Sequence, residues 1–141
     1  MCASGWKYLD YTKKCYKHFS SKSSWTAALK ECEALFPDQA STLASAPNKI
    51  TNDFVSSLTL ERTWIGGSRS SDGSWSWTDG SEWSFTSWDD GEPNNLGGIE
   101  DKLETNYNWM IGFWNDITDT WNDDYNWVEL GHICQYQAQA G

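Results

Sequence analysis

Residues 79–124 constrain this chain more than any other stretch. They are mostly Gly, Asn, Asp, Ser and Trp, with neither the two-residue apolar period of a strand nor the 3.6-residue period of a helix. A structureless connection of that length inside a compact domain is usually either functional or disordered. Its aromatic content argues against disorder: eight of the eleven tryptophans fall between Trp75 and Trp127, and unfolded segments are poor in aromatic residues. The fold therefore has to hold a long, irregular, tryptophan-rich loop in place, and a bound cation is one device for doing so.

The flanks are more regular. Within residues 23–36, Trp25, Ala28, Leu29, Cys32 and Phe36 share one helical stripe behind a serine suited to N-capping, and Pro37-Asp38 ends the pattern. A second helix is expected over residues 48–58, where Ile50, Phe54 and Leu58 recur every four residues and Pro47 is placed to open the first turn. Beyond residue 60 the period changes to two. Thr63-Trp64-Ile65-Gly66, Trp75-Ser76-Trp77-Thr78 and the segment 130–136 are expected to be strands, with Trp64, Trp75 and Trp77 in the core. The class is α+β.

The 141 residues suit one domain with a single core. A formal charge of -10 disfavours nucleic acid and anionic membrane surfaces, whose recognition needs Lys and Arg. No apolar run reaches the roughly 20 residues of a membrane span, and Met1-Cys2-Ala3-Ser4-Gly5-Trp6 lacks the basic and apolar regions of a signal peptide. Four cysteines, Cys2, Cys15, Cys32 and Cys134, allow three pairings. Without closely spaced Cys or His ligands they point to two disulfides formed in an oxidising compartment rather than to zinc. His18 and His132 have no paired nucleophile or carboxylate motif, so both are expected to be structural.

One part of the loop is rich in oxygen. Asp89-Asp90-Gly91-Glu92-Pro93-Asn94-Asn95 and the nearby Glu100-Asp101 hold more acceptors than a turn requires. Hard cations such as calcium take several oxygen ligands from carboxylates, amide carbonyls and water, a mixture that Glu92, Asn94 and Glu100 can supply. Pro93 would fix the turn so that its neighbours face one side. The remaining ligands have to come from elsewhere, and an Asn-Asp pair nearer the C-terminus is the natural source.

Taken together, Trp64-Ile65-Gly66-Gly67, Glu92-Pro93-Asn94, Trp121-Asn122-Asp123 and Gly131-His132-Ile133-Cys134 resemble a C-type lectin domain. The opening around Cys2 and Lys14-Cys15-Tyr16 resembles the N-terminal hairpin of the family's long form. The resemblance covers residues 2–136 as one carbohydrate-recognition domain, leaving 137–141 as a short tail. It implies two helices packed on small antiparallel sheets, with a long calcium-binding loop region. It further implies that Glu92, Asn94, Glu100, Asn122 and Asp123 hold one calcium ion and also hydrogen-bond two vicinal sugar hydroxyls. The Glu-Pro-Asn order resembles the mannose type, selective for equatorial 3- and 4-hydroxyls. A secreted, extracellular lectin without catalytic activity follows, multivalent as a homo-oligomer or within a larger assembly.

The sequence Trp-Asn-Asp occurs twice, at 114–116 and 121–123. In the family its Asp stands eleven residues before the last cysteine, the spacing of Asp123 from Cys134, whereas Asp116 is eighteen away. Asn122 and Asp123 are therefore the expected ligands, with Asn115 and Asp116 as the alternative. That choice leaves a long segment in which Tyr107, Trp109, Phe113 and Trp114 are candidates for stacking on a further sugar or packing in an interface.

The sequence also departs from the family pattern. The second cysteine pair, due near Lys102 and Asn126, is missing on both sides, and Arg69 and Asn95 stand where an auxiliary calcium site would place acids, so one calcium is expected. A glycosidase could use Glu92 and Glu100 as its two carboxylates. Acids bound to calcium stay deprotonated, however, which removes the general acid. A calcium-independent protein-binding or ice-binding module on the same scaffold is the other reading, since fold does not dictate function.

Overall fold

The computed structural model describes residues 2–93, 95, 101–107, 110–117 and 129–139. Helix α1, Trp25–Leu35, begins at Ser24, whose Oγ accepts from the Ala27 N–H at 3.2 Å. It buries Trp25, Ala28 and Cys32. Phe36 leaves the helical region ahead of Pro37, as the residue before a proline tends to, and Pro37–Gln39 forms a 3₁₀ turn. Ser41 Oγ closes the end by accepting from Phe36 N and donating to the Glu33 carbonyl.

Helix α2, Lys49–Ser56, starts one residue later than the position of Pro47 suggests. Asn48 is its cap, accepting from Thr51 N at 2.9 Å, so Pro47 precedes the helix. The stripe drawn through Ile50, Phe54 and Leu58 also needs correction. Ile50 is 53% exposed, Phe54 and Leu58 only lean on the core, and the buried face is Thr51, Asn52, Val55 and Ser56. Polar residues can occupy that face because they find partners there. Asn52 donates to the Gly112 carbonyl and accepts from Trp114 Nε1, both at 2.9 Å.

Among the described residues, eight strands form one connected sheet: β1 Lys7–Leu9, β2 Lys14–Ser23, β3 Thr42–Leu43, β4 Thr63–Arg69, β5 Trp75–Trp77, β6 Lys102–Thr105, β7 Asn115–Ile117 and β8 Leu130–Gln137. The order is β1-β2-β8-β4-β6-β7, with β3 beside β8 and β5 beside β4. All pairs are antiparallel except β4 with β8, where Thr63 lies opposite Gly131 and Trp64 opposite His132. That parallel contact joins what the sequence suggested would be separate small sheets. Strands β6 and β7 fall inside the stretch expected to be loop.

Trp64-Ile65-Gly66-Gly67 lies at the crowded centre. A Cβ on Gly66 would sit 2.8 Å from Thr78 Oγ1 and 3.0 Å from the Leu43 carbonyl, and one on Gly67 2.7 Å from Leu103 Cδ1. Only glycine lets β3, β5 and β6 approach β4 this closely. Trp64 and Trp25 are buried with their indole N–H groups on the Ser23 and Ile65 carbonyls, each at 2.9 Å. The disulfides are Cys2–Cys15 and Cys32–Cys134. The second ties α1 to β8. The two ends of the chain run side by side: Ala3 N–H donates to Tyr136 Oη at 2.7 Å, and Ala138 N–H to the Lys13 carbonyl at 3.1 Å.

Behind β2 and β8, Asp79 accepts from Lys14, Ser45, the Ser81 N–H and Gln135. Burial works against its charge, but these donors outweigh burial and hold its carboxyl below the usual carboxylate range.

Candidate functional site

Trp114 organises the loop. It is fully buried, and its ring lies 5.4 Å from Trp77, 5.6 Å from both Trp83 and Trp88, and 5.9 Å from Phe85, mostly edge to face. Trp114 is thus a core residue and does not offer a face to a sugar, as the sequence had allowed. Phe113 is 38% exposed, Tyr107 sits beneath the Arg62 guanidinium at 5.6 Å, and Trp109 lies outside the described residues.

The backbone beside Trp114 draws the oxygen-rich loop onto β7. Trp114 N–H donates to the Ser87 carbonyl at 2.8 Å, and Asp89 N–H donates to the Trp114 carbonyl at 2.9 Å. Glu92 N–H then bonds the Asp89 carbonyl at 2.9 Å, and the Glu92–Pro93 peptide is cis. Two residues past Pro93, Asn95 N–H donates to Asp116 Oδ2 at 2.7 Å. Glu92 and Pro93 therefore follow a tether to Trp114 at Asp89 and precede one to Asp116 at Asn95, which brackets Asn115.

Both residues of the 115–116 pair are inside the protein, Asn115 at 5% exposure and Asp116 at 0%. Asn115 Nδ2 donates to Glu104 Oε2 at 2.9 Å across the β6–β7 pair. Glu104, itself 0% exposed, receives a two-pronged contact from Arg62: Nε to Oε1 at 2.6 Å and Nη2 to Oε2 at 2.7 Å. This pairing holds the guanidinium above its ordinary value against the opposing effect of burial. On the loop's other flank, Arg69 Nη2 donates to Asn95 Oδ1 at 2.9 Å and Arg69 N–H to the Asp101 carbonyl at 2.8 Å.

Of the five residues expected from sequence to bind metal, Glu92 is described; Asn94, Glu100, Asn122 and Asp123 lie outside the described residues. The residues that the structure does bring to the loop are Asn115 and Asp116. They lie on β7, the strand paired with β6, which directly follows Asp101. Asn122 and Asp123, the pair selected by counting back from Cys134, fall in the sequence between β7 and β8. Glu92, Asn115 and Asp116 supply carboxylate and amide oxygens alone, a donor set that fits a hard cation. Among the described residues the only close-set group of His, Cys, Asp or Glu side chains is Cys32, His132 and Cys134, and its two sulfurs are joined in a disulfide.

Residues 21–136 match the family model described as Lectin C-type domain. The chain belongs to the C-type lectin domain family, a family of carbohydrate-binding, non-enzymatic domains. It is 32% identical to a protein named Lectin from Pleurodeles waltl over 96% of this chain and 76% of that one. Its share of two further curated relatives is smaller, 61% and 57% of their length. Among solved structures, the cow carbohydrate-recognition domain of CD23, determined in the presence of a GlcNAc2Man3 oligosaccharide, superposes with a TM-score of 0.81 at 25% identity, covering 99% of this chain and 98% of that one. A calcium-independent type II antifreeze protein shares the fold alone, with a TM-score of 0.81 at 21% identity over 99% of this chain and 96% of that one.

Proposed function

We propose that this domain is a calcium-dependent lectin for mannose-type sugars, with one cation held by Glu92, Asn94, Glu100, Asn115 and Asp116. The supporting observation is the Asn95 N–H to Asp116 Oδ2 bond, which brings the Glu-Pro-Asn loop to the first of the two Asn-Asp pairs. The choice of Asn115 and Asp116 over Asn122 and Asp123 rests on that bond. Calcium, when bound, supplies a hard positive centre for carboxylate, amide and sugar oxygens.

The chain's own groups supply the selectivity. Carboxylates accept a hydrogen bond from a sugar hydroxyl and amide N–H groups donate one to its oxygen, so acid and amide on either side of Pro93 set the order in which two neighbouring hydroxyls are read. Arg69 brings its guanidinium to Asn95, which supports one cation rather than two. The two disulfides support an oxidising, extracellular setting. A shallow monosaccharide contact gives affinity on the order of millimolar, so useful binding relies on several copies acting together.

The test is a mannose column loaded in calcium and eluted with a chelator. Retention followed by release supports the reading. Flow-through by a protein that calorimetry shows to bind calcium removes the sugar assignment. Flow-through by a protein that calorimetry shows to bind no calcium favours the calcium-independent alternative.

A further inference from the structure

We infer that Glu104, clamped by Arg62, is a positioning residue that sets the direction of the Asn115 amide at the cation and sugar site. This rests on the assignment of Asn115 to that site.

A primary amide has one oxygen that accepts and one nitrogen that donates twice, and the two ends are nearly the same size. An unconstrained amide can flip, presenting N–H to a cation that needs oxygen. An ionised carboxylate can only accept. Facing Glu104 Oε2 at 2.9 Å, Asn115 has to point its nitrogen there, which leaves Oδ1 at the other end of the planar amide and the second N–H for a sugar hydroxyl. Among the described residues nothing donates to Asn115 Oδ1.

The carboxylate is wholly buried, and donors meet both of its oxygens: Arg62 Nε at Oε1, and Arg62 Nη2 and Asn115 Nδ2 at Oε2. The two-pronged Arg62 contact supplies the compensating charge, and its planar fork fixes the carboxylate in the plane that Asn115 meets. Arg62 is 45% exposed and meets Asn115 only through Glu104, whose Oε2 accepts from both, so it acts through Glu104. Carboxylates that orient ligand side chains from behind are worth about 10- to 100-fold in metal affinity elsewhere.

The experiment is a calcium titration by calorimetry, without sugar, on four proteins: wild type, Glu104→Gln, Asn115→Asp and the double variant. The amide introduced by Glu104→Gln can accept or donate, so Asn115 loses its fixed direction and calcium affinity should fall about 10-fold or more. In the Asn115→Asp background the sign should reverse. There the native Glu104 opposes a second carboxylate, whereas the amide of Glu104→Gln donates to it, so the double variant should bind more tightly than Asn115→Asp alone. A residue that merely stabilises the fold would lower the melting temperature of the metal-free protein in both backgrounds without that reversal. Equal effects of Glu104→Gln in the two backgrounds, or a wild-type dissociation constant in Glu104→Gln, would overturn the inference. If Glu104→Gln does not fold, Arg62→Lys keeps the charge but loses the fork; a smaller loss of affinity is expected, and none overturns the inference. Absence of calcium binding by wild type would instead remove the underlying assignment.

Discussion

Asn95 and Asp116 are twenty-one residues apart in sequence, yet the backbone N–H of one meets the carboxylate of the other at 2.7 Å. This contact ties the loop carrying Glu92 to β7, and it makes the two Asn-Asp pairs experimentally distinguishable. Asp116→Asn keeps the shape but removes the charge, and a direct ligand should matter at least as much as a supporting one, so calcium affinity should drop about 100-fold or more. Asp123→Asn should leave it near wild type. Calcium titration of both variants decides; the opposite ranking would return the site to Asn122 and Asp123.

Trp114 should be the most sensitive aromatic position. Trp114→Ala empties the centre of the tryptophan cluster and deprives Asn52 Oδ1 of its indole donor. A loss of about 3–5 kcal/mol is expected for the cavity. Denaturant midpoints of the metal-free protein would show it, and a change below about 1 kcal/mol would contradict the role given to this residue.

His18 and His132 predict how metal-free stability depends on pH. Burial lowers both pKa values, opposed by Glu61 beside His18 and Glu31 beside His132, while the second histidine adds to the lowering at His132. The unfolded chain therefore takes up protons first, near pH 6.5, and stability falls as pH drops below that value by at most about 1.4 kcal/mol per unit for each histidine. Unfolding in chelator at pH 7.5, 6.5 and 5.5 measures the slope. His132→Phe, which keeps an aromatic ring against Phe19, should flatten it; an unchanged slope would rule His132 out as a contributor.

The disulfides should differ in value. Cys32–Cys134 spans 102 residues and Cys2–Cys15 spans 13. On chain entropy, losing the first costs about 4.7 kcal/mol and losing the second about 3. Paired Cys→Ala variants, compared by urea unfolding, should rank in that order; equal losses would mean that the unfolded chain is already compact around α1 and β8.

The helices were readable in sequence because their caps and stops are local: Ser24 and Asn48 bond residues three positions on, and Pro37 breaks what precedes it. Strands β6 and β7 were not, because each is short and pairs with a distant partner rather than carrying a period of its own. Trp64 and Trp77 lie in the core as their strand pattern suggested, whereas Trp75, expected beside them, is half-buried against it. Ile50 was misplaced because an apolar period cannot foresee that Asn52 finds two buried partners. Glu92 was visible through its proline. Glu104 and Arg62 were invisible, since an ion pair forty-two positions apart leaves no mark on local composition.

The pairing of Ala3 with Tyr136, and of Ala138 with Lys13, brings the first and last strands of the module to one spot. A unit whose two ends meet can be inserted into a host loop, or strung in series with copies of itself, without unravelling either neighbour. Many weak sugar contacts can then be combined by gene duplication alone, with no new subunit interface.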